Sequence, residues 1–191
     1  MASDDLRYHL ILYGIYYNDW KINFGGLSDH QHLLLEDYIS DACSTEETSE
    51  ASDTNRFLFP FHVKKKYFIE GIIKGHITVA SSTATSHVTS YRVSVCSMNE
   101  DTTDTELFTT GWVSVDDTLG WDSTYSVPSI IEGEEGERVY AFWIDAWSYA
   151  TLGEYDRIYL KVEANCDSTA VLWHSNDSTY QDIYVDIPLR L

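Results

Sequence analysis

The residues able to do chemistry are scattered along the chain, and few fall into a pattern. The seven histidines are His9, His30, His32, His62, His76, His87 and His174. Only His30-x-His32 has the spacing that puts two imidazoles on one side of a strand, as a metal pair requires. No nearby cysteine completes a tetrahedral zinc set, so a solvated or helix-capping pair is the plainer reading. His76 and His87 flank an expected turn and can face each other on a sheet surface. Cys43, Cys96 and Cys166 match no CxxC metal or redox motif and read as free buried thiols. A disulfide between Cys96 and Cys166, both in or beside expected strands, is the alternative. Acidic loops at 99–106, 116–122 and 132–137 offer oxygens to calcium, but none carries the D-x-D-x-D-G pattern. Asp145 lies in the densest apolar run. Among the acids it is the candidate for burial and a shifted carboxyl, though a structural acid at a strand end is the plainer reading. Two-carboxylate glycoside hydrolysis needs a pair of acids across a cleft, and among 31 acids some pair meets that by chance. No G-x-S-x-G, Walker A or H-E-x-x-H motif occurs. The expectation is a protein without catalytic residues, cofactor or resident metal.

Aromatic side chains are 14% of the chain, a density that favours strands and interfaces over helix bundles. Trp121 and Tyr125, in a loop-like stretch, are the candidates for a sugar-stacking platform. Tryptophans within strands are expected in the core or at a subunit interface. Lys64-Lys65-Lys66 is the only basic cluster; it suits an acidic neighbouring subunit, or is simply a solvated turn. Asn176-Asp177-Ser178 is a glycosylation sequon, relevant only to a secreted chain.

The 191 residues carry 31 acids against 12 Lys and Arg, a formal net charge of −19. Phosphate binding needs clustered cations, so nucleic acid is not an expected partner. An anionic membrane surface is disfavoured for the same reason. The N-terminus, with two acids before a short apolar run and no cleavage pattern, does not read as a signal peptide. No run approaches the ~18 apolar residues of a membrane helix.

The elements that must position these residues are strands. Glu137–Trp147 and Tyr155–Asn165, joined through Leu152–Gly153, read as a central hairpin. In the second run Ile158, Leu160 and Val162 alternate with Tyr159, Lys161 and Glu163. In the first, Val139–Ile144 is nearly continuous and reads as a strand covered on both faces. Val88–Met98 alternates Tyr91, Val93 and Val95 against Arg92, Ser94 and Cys96. Gly71 and Gly75, inside the run 67–80, suggest a bulge or bend. About seven or eight strands between turn signals predict a mainly β, jelly-roll-like, two-sheet antiparallel sandwich over residues 56–191. The small, acidic stretch 43–55 reads as a linker. Residues 1–42 read as an N-terminal arm. Its S-x-x-Q at Ser28–Gln31 suggests a short helix at about 28–42, with a strand through His32–Tyr38 as the rival.

The run STATSHVTSYRVSVCSMNEDTTDTELFTTGWVSV and the closing WHSNDSTYQDIYVDIPLRL combine Thr/Ser-rich strands with an acidic loop. In this they resemble virion structural proteins of tailed viruses, capsid decoration and tail-associated proteins among them. The resemblance covers about residues 64–191, rests on pattern and carries over no functional residue. It implies a non-enzymatic module on a viral particle, made in the host cytoplasm, oligomeric and often trimeric, with other virion proteins as partners. Under that reading Leu10, Leu12, Tyr16, Tyr17, Trp20 and Phe24 form an assembly arm that packs across its own sandwich or onto a neighbour, the neighbour being favoured. The alternatives are a glycan-binding sandwich, calcium-assisted or not, and a carboxylate-dependent hydrolase.

Overall fold

The computed structural model describes residues 7–16, 22–24, 27–30, 32–36, 47–48, 54–60, 63–81, 88–99, 103–114, 138–166, 170–173 and 183–190. Sixteen strands and no helix occur among them. In chain order they are β1 (Arg7–Tyr16), β2 (Ile22–Phe24), β3 (Leu27–His30), β4 (His32–Leu35), β5 (Glu47–Thr48), β6 (Thr54–Leu58), β7 (Tyr67–Ile69) and β8 (Ile72–Ser81). Then follow β9 (Val88–Met98), β10 (Asp104–Thr109), β11 (Val113–Ser114), β12 (Arg138–Asp145), β13 (Ala150–Leu152), β14 (Arg157–Cys166), β15 (Ala170–Trp173) and β16 (Ile183–Arg190).

They build the expected antiparallel two-layer sandwich. One layer runs β10–β9–β14–β6, and the other runs β1–β16–β8 with β12 on the free side of β8. Among the described residues one parallel pair, Leu33↔Leu58 between β4 and β6, joins the layers along one edge. Period-two alternation fills the space between them. Tyr91, Val93, Val95, Ile158, Leu160 and Val162 face inward from one layer. Leu10, Leu12, Ile73, Ile77, Val185 and Ile187 meet them from the other in one cluster. The phenol of Tyr91, which is fully buried, donates across the sandwich to the Ala141 carbonyl at 3.1 Å. That satisfies a polar group that would otherwise cost free energy in the core.

Several expectations are corrected. The two runs 137–147 and 155–165 are not a hairpin. β12 pairs with β8, whereas β14 pairs with β9 and β6 in the opposite layer. β12 is not covered on both faces: Phe142 and Ile144 are buried, and Trp143 between them is 50% exposed. Gly75 makes no bulge, because the β8–β12 register runs unbroken through it. It is a close-approach site, where an added Cβ would strike the Tyr184 carbonyl and lie 2.7 Å from the Phe142 ring. Gly71, at φ 136°, does break the chain between β7 and β8. Where a helix was expected at about 28–42, residues 28–30 and 32–35 are strand, and residues 31 and 37–42 lie outside the described residues. Within the stretch expected as an arm, β1 lies between β16 and β4, and Leu10 and Leu12 belong to the same core as the later strands. Tyr17 and Trp20 lie outside the described residues, and Tyr16 and Phe24 are placed only as strand positions.

Candidate functional site

Asp145 ends β12, and what it does there shapes the surface that follows. It is exposed, and its carboxylate accepts the Trp147 N–H at 3.0 Å. This is the structural strand-end acid, not the buried one. An aspartate whose side chain binds a backbone N–H two residues on sets a local turn. The Tyr149 N–H then donates to the Ala146 carbonyl at 3.1 Å, and Ala146 and Gly71 exchange backbone bonds in both directions. The turn is fixed to the start of β8.

The second turn, from β13 into β14, is held as firmly. Asp156 accepts the Gly153 N–H at 2.7 Å. The Tyr155 N–H donates to the Val63 carbonyl at 2.9 Å, and the Val63 N–H donates to the Asp156 carbonyl at 2.8 Å. Both turns hold a tyrosine in the left-handed region, Tyr149 at φ 42° and Tyr155 at φ 75°. Bulky L-residues rarely adopt it, because the side chain crowds the backbone. Such conformations cost on the order of 1–3 kcal/mol each and persist where surrounding bonds over-determine them. Glycine is the ordinary occupant of such positions, yet both carry an aromatic side chain that is more than half exposed.

Trp147, Tyr149 and Tyr155 are each more than half exposed. The three-residue β13 between the turns spans only about 10 Å, so rings at its two ends lie within reach of one partner. Tyr149 meets Phe68 edge-on at 5.9 Å, and Phe68 lies under Lys66 and Arg190 at 5.4 and 5.6 Å. The expected basic turn 64–66 therefore borders the aromatic turns, and all three of its lysines are exposed. A rigid set of Tyr and Trp rings beside cations is the composition of binding hot spots.

A second surface is the outer face of β1, β16, β8 and β12. Cross-strand register places Ile11, Asp186, Lys74 and Trp143 in one row. Asp186 is buried although it faces outward. His9 Nδ1 lies 2.7 Å from one carboxylate oxygen and Lys74 Nζ 3.5 Å from the other. His76 stacks on Tyr184 at 5.4 Å, and Tyr13 lies 5.7 Å from the same ring. Sequence reasoning missed this group. The alternation of Ile183, Val185 and Ile187 against Tyr184 and Asp186 signals the outward side, but nothing local says that residue 9 sits beside residue 186.

On the opposite layer four charges close a ring. Arg92 reaches Glu106 at 2.8 Å and Glu163 at 3.6 Å, and Lys161 reaches the same two acids at 3.3 and 3.4 Å. Burial works against ionising Glu106, but a Ser94 hydrogen bond, Arg92 and Lys161 outweigh it and hold the carboxyl below its usual range. Both carboxylates are committed to cations rather than poised as an acid–base pair. Beside them Cys96 is free and buried with Leu58, Met98 and Tyr159. Burial pushes its thiol up to about 11, against opposing contributions from Tyr159 and Lys161.

Trp121 and Tyr125, the residues expected to stack on sugar, lie outside the described residues, as do loops 116–122 and 132–137. No group of three or more His, Cys, Asp or Glu is gathered among the described residues. No described helix is long and apolar enough to cross a membrane.

Similarity to known proteins is confined to structure. No family model matches the chain, and no curated protein matches its sequence. Two crystal structures of a CocE/NonD family hydrolase from Staphylococcus aureus share its fold. The TM-scores are 0.59 and 0.57, at 11% and 10% identity, and the matches cover 96% and 94% of this chain. They cover only 37% and 36% of the hydrolase, so the chain spans little more than a third of that enzyme's length. At this identity the likeness speaks for the fold alone.

Proposed function

We propose that the chain is a non-catalytic structural protein, of the capsid decoration or tail-associated kind that its sequence resembles, and that it docks onto neighbouring subunits through the aromatic turns around β13. The observation that carries this reading is the pair of strained, bond-locked tyrosines. Strain held at an exposed surface does nothing for the core, and it is accounted for by a partner that the rings meet. The charge of −19 supports it further, because self-repulsion keeps such a protein dispersed until specific contacts form.

The test is size-exclusion chromatography with light scattering, comparing the wild type with the triple variant Trp147→Ser, Tyr149→Gly, Tyr155→Gly. Glycine relieves the left-handed positions, so the variant is expected to keep its melting temperature within a few degrees. It is expected to lose an assembly, trimeric or otherwise, that the wild type forms. A wild type that stays monomeric at every concentration and binds no capsid or tail protein refutes the reading.

A second reading has one observation in its favour, the likeness to part of a hydrolase. The chain would then be a β-sandwich accessory to a larger hydrolytic protein. Nitrophenyl ester assays decide the catalytic question. Turnover above the buffer rate by the purified chain overturns the non-catalytic assignment.

A further inference from the structure

A cavity of about 260 Å³ opens between the layers where β1, β14, β16 and the segment leading into β7 converge. Its walls are Leu10, Val63, Ile158 and Leu189, all buried, with Phe59 and the Tyr8 and Tyr67 rings alongside. The two tyrosines meet edge-on at 5.5 Å. Lys64 and Glu36 also line it, and both are exposed, so one cation and one anion stand at the mouth. Among the described residues neither enters an ion pair.

The chemistry of the walls restricts what fits. An apolar cavity of about 150 Å³ holds a benzene ring, so this one has room for a ring or a branched aliphatic chain with a small polar head. Core side chains do not hydrogen-bond a ligand, so its buried part must be apolar. The head has to satisfy two opposite charges at once. An ammonium suits Glu36 and a carboxylate suits Lys64, both as charge-assisted hydrogen bonds. The Tyr8 hydroxyl is hydrogen-bonded to Tyr67, so the pair adds one donor at the wall. Burial, and then the neighbouring Tyr67, hold the Tyr8 phenol above its ordinary value, so that hydroxyl keeps its proton at neutral pH.

We propose that this cavity binds a small zwitterion with an apolar side chain, an α-amino acid of the leucine or phenylalanine class, its side chain against Leu10, Val63, Ile158 and Leu189 and its charged head between Lys64 and Glu36. The assignment is independent of the docking role of the aromatic turns.

Calorimetric titration of the full chain tests it with matched probes: L-leucine, 4-methylpentanoate, which lacks the ammonium, and 3-methylbutylamine, which lacks the carboxylate. Saturable leucine binding is expected, with each analogue about tenfold weaker, the share of one charge-assisted hydrogen bond. Lys64→Glu should abolish binding of leucine and of the acid while sparing the amine. Glu36→Gln should weaken leucine and the amine while leaving the acid unchanged. Both positions are exposed, so both variants should melt within a few degrees of the wild type, as calorimetry can verify. The proposal is overturned by no saturable leucine binding up to about 10 mM, by an analogue that binds as well as leucine, or by leucine binding that both variants leave unchanged.

Discussion

Truncating Leu12 to alanine removes three heavy atoms from a side chain with no solvent exposure, in the middle of β1. Its neighbour Ile11 points to the outer face and is 40% exposed. The two substitutions alter one strand by similar volumes on opposite faces, so they separate packing from strand propensity. Burial of Leu12 on the β16 side of the core predicts a loss of about 2–5 kcal/mol for Leu12→Ala. Ile11→Ala should cost under about 1 kcal/mol, since much of its surface is already in water. Total stability of such domains is about 5–15 kcal/mol, so the first variant should still fold, measurably weakened. Urea unfolding followed by tryptophan fluorescence gives both values. In melting temperature the Leu12 variant should fall by roughly 4–20 °C, at about 2–4 °C per kcal/mol for this size. The same logic forecasts that deleting residues 1–42 leaves no folded remainder. Eight positions of β16, from Ile183 to Arg190, lose their β1 partners, and the core loses Leu10 and Leu12. Equal losses for the two point variants, or a folded truncation, refute the placement of β1 in the core.

Gly75→Ala puts a Cβ against the Tyr184 carbonyl and the Phe142 ring, with backbone on one side and buried aromatic on the other. It should destabilise by about 1–3 kcal/mol or more, as overpacking does, and chemical denaturation measures it. The depressed folded-state pKa of Glu106 means that its ionised form stabilises the fold above the unfolded carboxyl value of about 4.3. That contribution should fade as the pH falls below this value, and Glu106→Gln should show a shallower acid limb in melting temperature against pH. Cys96, held as a thiol near a pKa of about 11, should resist iodoacetamide at pH 8 in the native state and react once unfolded, as peptide mass spectrometry reads directly.

Much of the sandwich was legible because alternation is a local signal. Tyr91, Val93 and Val95, and Ile158, Leu160 and Val162, are buried on the side their spacing predicts. Partners were not legible, because pairing is decided across the whole chain. β12 pairs with β8, more than sixty residues earlier, whereas proximity suggested β14. The apolar run around Trp143 looked doubly covered because exposure of an indole leaves no trace in its neighbours. Cys96 lies on the outward register of β9 and is nonetheless buried, since Leu58, Met98 and Tyr159 form a second cluster on that face. The site depended on backbone geometry: no sequence pattern reports that Tyr149 and Tyr155 have positive φ. The tryptophan beside Asp145 was visible in the sequence, but the turn it makes was not.

Amide hydrogen exchange of the wild type at low and high protein concentration tests the docking claim most directly. The account predicts that peptides spanning residues 145–157 gain protection on concentration, as the aromatic turns become an interface, while the core strands are unchanged. Protection gained only elsewhere on the sandwich, or no change at any concentration, would contradict it.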